Sequence, residues 1–110
     1  MEEKRKINLI ERYIGKGRRT SITAKNIAIL MNVSERQVRQ YIEDARISGV
    51  IIINKQDGKG YYLPDDKDKE YLQDLKQQRL QTLKRAQSLL AQVKHIEEEL
   101  YRISGSHAKM

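Results

Sequence analysis

The chain has 110 residues, with 22 Lys plus Arg against 15 Asp plus Glu and a formal net charge of +7. It holds no cysteine, no His cluster, no glycine-rich phosphate loop with its lysine and no serine, histidine and acid pattern, so no catalytic residue, metal or cofactor is expected. No apolar stretch reaches about 18 residues and no signal-peptide core is present, from which a cytoplasmic protein without membrane attachment is expected.

The first predicted element is a helix over residues 3–13 or 3–14. Ile7, Ile10 and Ile14 recur at helical spacing, Leu9 and Tyr13 widen the stripe, and Gly15 and Gly17 break it. Lys4, Arg5, Lys6, Arg12, Lys16, Arg18 and Arg19 lie on this helix and its following loop, where they are candidates for phosphate contacts.

Residues 23–49 (TAKNIAILMNVSERQVRQYIEDARISG) read as two short helices joined by a tight turn. Thr23 is suited to cap the first, along which Ile27, Ala28, Leu30 and Met31 form an apolar stripe. Asn32 tolerates the left-handed backbone that a tight reversal requires, and Val33 then plugs the angle between the helices. Ser34 is a good N-cap with Gln37 three residues on, which predicts a helix starting at Glu35 and stopping at Gly49. On that helix Val38, Ile42 and Ala45 share a face expected to pack on Ala28, with Tyr41 near it. Arg36 and Gln40 point the opposite way, and Gln37 and Arg39 flank them.

Those are groove-reading residue types. Arginine bonds bidentately to guanine O6 and N7, glutamine matches the N6 and N7 edge of adenine, and Ser34 is better placed for a phosphate. An isolated helix with such a face is ordinarily just solvated. Here, however, the turn, the cap and the following segment form the grammar of a helix-turn-helix, whose second helix presents its N-terminal end and outer face to the DNA major groove.

The following segment predicts a β-hairpin, or wing. Residues 50–54 (VIIIN) are a β-branched run, 55–60 (KQDGKG) a polar loop with turn-forming Asp57 and Gly58, and 61–63 (YYL) a second extended run before Pro64. Lys55 and Lys59 stand on this loop, within reach of a phosphate beside the groove.

Residues 4–64 resemble the winged-helix domains of bacterial transcriptional regulators. VSERQVRQYIEDARISGVI is similar to their recognition-helix segment, and GKGYYLP at 58–64 looks like the wing end of the N-terminal DNA-binding domain of the biotin operon repressors. The resemblance implies base-side or phosphate-side roles for Glu35, Arg36, Gln37, Arg39 and Gln40, and wing roles for Lys55 and Lys59. Biotin sensing does not carry over, because no ligase domain fits into the 46 residues after Pro64. Charge is lopsided in the same direction: residues 1–64 hold 13 Lys plus Arg against 7 Asp plus Glu, a surplus of +6, whereas residues 65–110 hold 9 against 8, only +1.

After Pro64 the composition changes. Residues 66–103 contain no Gly or Pro, with Asp66 or Asp68 available as a cap, and predict one long helix of roughly 57 Å. Heptad position a at 72, 79, 86, 93 and 100 holds Leu, Arg, Ala, Val and Leu; position d at 75, 82, 89, 96 and 103 holds Leu, Thr, Leu, Ile and Ile. Leu72, Leu75, Ala86, Leu89, Val93, Ile96, Leu100 and Ile103 thus make a seam that Arg79 and Thr82 interrupt and Leu80, Leu83 and Leu90 widen. A domain of about 60 residues cannot cover so long a stripe, so the same helix of a second copy is the expected partner. Glu97, Glu98 and Glu99 read as a solvated face, and His95 and His107 lack metal-ligand company.

The expected architecture is therefore mainly α with a small β-hairpin wing (α+β): a winged helix-turn-helix domain at 1–64, a coiled-coil-like dimerisation helix at 65–104 and a frayed tail at 105–110. The expected function is that of a homodimeric, sequence-specific binder of double-stranded DNA, a transcriptional regulator and most simply a repressor that reads a palindromic operator. The competing reading is a protein-interaction adaptor that uses the winged module or long helix in a replication or segregation assembly. Salt separates the two, since phosphate contacts weaken steeply with ionic strength and apolar helix contacts do not.

Overall fold

The computed structural model describes residues 10–105. Among the described residues three helices and one antiparallel hairpin are formed: α1 (Ala24–Met31), α2 (Glu35–Ile47), β1 (Ile53–Asn54), β2 (Tyr61–Tyr62) and α3 (Tyr71–Ser104). Short 3₁₀ turns at Ile10–Tyr13 and Arg18–Thr20 precede them. The described residues divide into two compact units, one ending at Gln78 and the other starting at Arg79.

Local chemistry sets the α1–α2 corner. Thr23 caps α1, its hydroxyl accepting from the Asn26 amide at 3.2 Å, and Asn32 ends it at φ 58 and ψ 49, the left-handed conformation expected from its side chain. Val33 N–H donates back to the Ala28 carbonyl at 3.1 Å, closing the turn. Ser34 caps α2 by accepting from the Gln37 amide at 3.0 Å, so α2 starts at Glu35 as the spacing predicts. Gly49, at φ +112, follows the end of the helix.

One core holds the first unit together. Val38, Tyr41, Ile42 and Ala45 of α2 are each no more than 2% exposed and cluster with Ile27 and Ala28 of α1, Ile10, Ile14 and Ile52. Val33 and Met31 pack partly against it. Leu30 does not join the core and is 60% exposed. Ala24, Ile27, Ala28 and Met31 define the inward stripe of α1, and Leu30 lies about 110° from its centre, too far round to reach it. The predicted first helix falls largely on residues 1–9, outside the described residues, as do Ile7 and Leu9; its described end is the 3₁₀ turn Ile10–Tyr13.

The hairpin pairs Ile53 with Tyr62 and Asn54 with Tyr61. It is shorter than the β-branched run predicts, because backbone groups of 50–52 are engaged elsewhere: Val50 N–H donates to the Ala45 carbonyl at 3.0 Å, and the Ile52 carbonyl accepts two hydrogen bonds from Arg46, at 2.8 and 3.2 Å. Arg46 also lies 5.8 Å over the Tyr61 ring, strapping α2 to the hairpin. The outer edge of β2 is not left open. Tyr61 exchanges two hydrogen bonds with Ile22, at 2.8 and 3.0 Å, and the Leu63 amide and carbonyl bond Gly15 and Gly17, each at 2.8 Å. The chain before α1 thus closes that edge through two isolated bridges, Ile22 to Tyr61 and Lys16 to Leu63.

α3 begins at Tyr71 rather than at 65 or 66. Asp65 and Asp68 each fold back onto the amide two residues on, accepting from Lys67 at 3.0 Å and Glu70 at 3.2 Å, so 65–70 forms turns instead of helix. Gly105 lies past the helix end; residues 106–110 of the predicted tail are outside the described residues. Among the described residues no helix is long and apolar enough to cross a membrane.

Candidate nucleic-acid interface

The outer face of α2 carries the sequence-predicted groove residues. Burying Val38, Tyr41, Ile42 and Ala45 forces Arg36 and Gln40 outward, and both are exposed, as are Ser34, Glu35 and Arg39; Gln37 is half-buried on the flank. Ser34 uses its hydroxyl oxygen on the helix end, leaving its hydrogen free to donate. Glu35 adds a negative charge in the first turn, favourable toward the helix dipole, and its carboxylate sits 3.4 Å from Arg39 Nη2. An exposed pair that long is worth little, about 0.3–0.5 kcal/mol, so Arg39 is free to leave it for a better anion.

On the same face Gln40 Nε2 donates to Asp44 Oδ1 at 2.9 Å. That bond fixes which way the carboxamide points and leaves its oxygen and second hydrogen available. Arg36 makes no side-chain hydrogen bond or ion pair among the described residues. A guanidinium, a carboxamide and a half-engaged second guanidinium therefore stand within one and a half turns on a rigid helix.

The two loop lysines are placed differently. Lys59 is exposed beside Asp57, whose carboxylate accepts from the Lys59 amide at 3.0 Å and shapes the loop tip. Lys55 turns inward: its Nζ lies 3.5 Å from Asp74 Oδ1 and its side chain is 20% exposed. Arg18 turns the same way, pairing with Glu70 and standing 3.4 Å from Asp74. Two basic side chains considered for phosphate contacts are thus committed within the first unit.

The acceptor shared by these groups is Asp74, which no sequence motif marks. It is 2% exposed in the first turns of α3, with Arg18 and Lys55 beside Oδ1 and the Tyr62 hydroxyl donating to Oδ2 at 2.9 Å. The two cationic contacts are long for hydrogen bonds, so the Tyr62 bond supplies the directional contact and the cations supply charge compensation. Four residues on, Gln78 Oε1 accepts from the Asn54 amide at 3.0 Å. These contacts fix the start of α3 to the hairpin. No short-range spacing announces them, because Arg18 is 56 residues from Asp74; the only sequence signal is a carboxylate on the helix between Leu72 and Leu75.

Burial, and then the bond to Asp74, push the Tyr62 hydroxyl up to about 12. Because the folded value lies above the ordinary 10.0, the protonated phenol stabilises the fold fully below pH 10, and that contribution disappears between pH 10 and about 12. Urea unfolding measured across this window is expected to lose about 2–3 kcal/mol more in the parent than in Tyr62→Phe. Equal losses in both proteins would contradict the assignment.

The seam residues of α3 differ by unit. In the first, Leu72 is 61% exposed and Leu75 half-buried; in the second, Ala86, Leu89, Val93, Ile96, Leu100 and Ile103 are all exposed. Among the described residues no group of three or more His, Cys, Asp or Glu is placed to hold a metal ion. No protein family, curated protein or solved structure matches the chain.

Proposed function

We propose that the protein is a sequence-specific DNA-binding regulator of the winged helix-turn-helix kind, acting as a cytoplasmic homodimer and repressing by occupying its operator. The observation that carries this reading is α2 itself: a capped helix, buried along Val38, Tyr41, Ile42 and Ala45, that holds Arg36, Arg39 and Gln40 outward on its first turns.

Each residue then has a role matched to its chemistry. Arg36 reads guanine, and Gln40 reads adenine after releasing Asp44. Glu35 is suited to accept from the cytosine amino group, while Ser34, Gln37 and Arg39 position the helix on phosphates and base edges. Lys59 contacts backbone phosphate from the hairpin loop. Lys55, held by Asp74, orders the hairpin and adds to the positive field. The surplus of +6 on residues 1–64 supplies sequence-independent affinity, and a two-fold dimer through the exposed α3 seam matches an inverted-repeat site.

Fluorescence anisotropy on a bound duplex tests the assignment. Arg36→Ala and Gln40→Ala are each expected to cost about 1–3 kcal/mol, roughly 5-fold to 150-fold in affinity, and to relax preference at one base pair. Lys59→Ala should instead weaken all sequences alike and flatten the salt dependence by about one phosphate contact. Binding that ignores both salt and Arg36→Ala would refute the reading and favour an adaptor working through the apolar helix.

A further inference from the structure

The α3 segment of the second unit distinguishes between the two ways in which a second copy can lie against it. From Ala86 to Ile103 the apolar positions alternate by three and four residues without a break, and Leu89, Val93, Ile96 and Ile103 are between 47% and 69% exposed. We infer that this segment pairs with the same segment of a second copy in antiparallel orientation, centred between Leu90 and Gln92. The inference rests on the homodimer reading above and adds orientation and register to it.

Consider first the parallel, in-register arrangement. It stacks Arg79 on the partner's Arg79 at a core position, sets two like charges together, and stacks Ala86 on the partner's Ala86, leaving a thin layer. It also places Leu100 at a with Ile96 and Ile103 at d, a combination that steers parallel helices away from two strands and toward higher assemblies. No salt bridge between flanking positions compensates. Arg85 would face the partner's Leu90, Gln92 would face Glu97 of the partner subunit, and Glu99 would face the partner's Ser104.

Reversing one helix removes these conflicts together. Every layer then joins an a residue to a d residue: Val93 meets the partner's Leu89, Ala86 meets the partner's Ile96, Thr82 meets the partner's Leu100, and Arg79 meets the partner's Ile103 near the end of the seam. Small residues now face large ones, as a packed interface requires. The same register brings Arg85 opposite the partner's Glu99 twice, once at each end, and places Leu90 beside the partner's Leu90. The latter accounts for an exposed leucine, 67% exposed, that lies off the two-position seam. Glu99 is held within its own helix by Arg102, at 2.8 and 2.9 Å, but this pair is exposed and adds little to hold the carboxylate back from Arg85.

The chain contains no cysteine, so engineered thiols in the full-length protein report orientation without background. Under mild oxidation, Arg79→Cys mixed with Ile103→Cys is expected to link, as is Ala86→Cys mixed with Ile96→Cys, while Ile103→Cys alone stays unlinked. Glu99→Arg should weaken self-association by roughly tenfold in sedimentation, and adding Arg85→Glu to the same chain should restore it. Self-linking of Ile103→Cys in a protein that still sediments as a dimer overturns the antiparallel register while leaving the homodimer reading intact. A protein that is monomeric at every concentration overturns both, and absence of rescue by Arg85→Glu overturns the register.

Discussion

Asp74→Ala is expected to destabilise the first unit by about 3 kcal/mol, lowering its thermal midpoint by roughly 15 °C. The carboxylate is 2% exposed and compensates Arg18, Lys55 and the Tyr62 hydroxyl together, so its removal leaves a buried phenol without an acceptor and two cations facing each other. Arg18 and Lys55 retain 39% and 20% side-chain exposure, and solvent therefore softens the loss below that of a wholly buried pair. Asp74→Asn keeps an acceptor for Tyr62 but loses the charge, and should fall between parent and alanine. A midpoint unchanged by Asp74→Ala would show that the cluster is surface decoration. The same substitution tests how α3 is anchored, since fast amide exchange at residues 71–78 should follow if Asp74 secures the helix start.

The second large effect is expected at Gly60. Its φ of +100 excludes most side chains, and a methyl group built there would lie 2.1 Å from the Ile22 carbonyl oxygen and 2.6 Å from the Thr23 amide nitrogen. Both contacts are with backbone, so neither can swing aside. Gly60→Ala must break the Ile22 to Tyr61 hydrogen bonds that close the outer edge of β2, at an expected cost of roughly 3–5 kcal/mol. Gly58 is the control. It has a similar φ, +85, with nothing within 4 Å of an added methyl, so Gly58→Ala should cost only about 1–2 kcal/mol. Equal losses at the two glycines in chemical denaturation would mean that backbone conformation, and not close approach, governs this loop.

What the sequence discloses about this molecule follows the range of the interactions concerned. Thr23, Asn32 and Ser34 act on amides or backbone angles within four residues, and each is found in the expected state. The inward face of α2 follows from helical geometry alone. Leu30 is apolar but lies beyond the arc of α1 that the core covers, so hydrophobicity alone does not place it inside. The shortening of the hairpin and the inward turn of Lys55 depend on partners that approach only after folding, Arg46 on the Ile52 carbonyl and Asp74 on the lysine. A lysine on a glycine-bearing loop looks the same in sequence whether it faces a phosphate or a buried carboxylate. Tertiary contacts decide which.

Selection of bound duplexes from a random DNA pool tests the central claim most directly. Enrichment of an inverted repeat, lost in Arg36→Ala and weakened by added salt, is the result predicted by groove reading from α2. A pool that stays random after repeated rounds, even in dilute buffer, would contradict it.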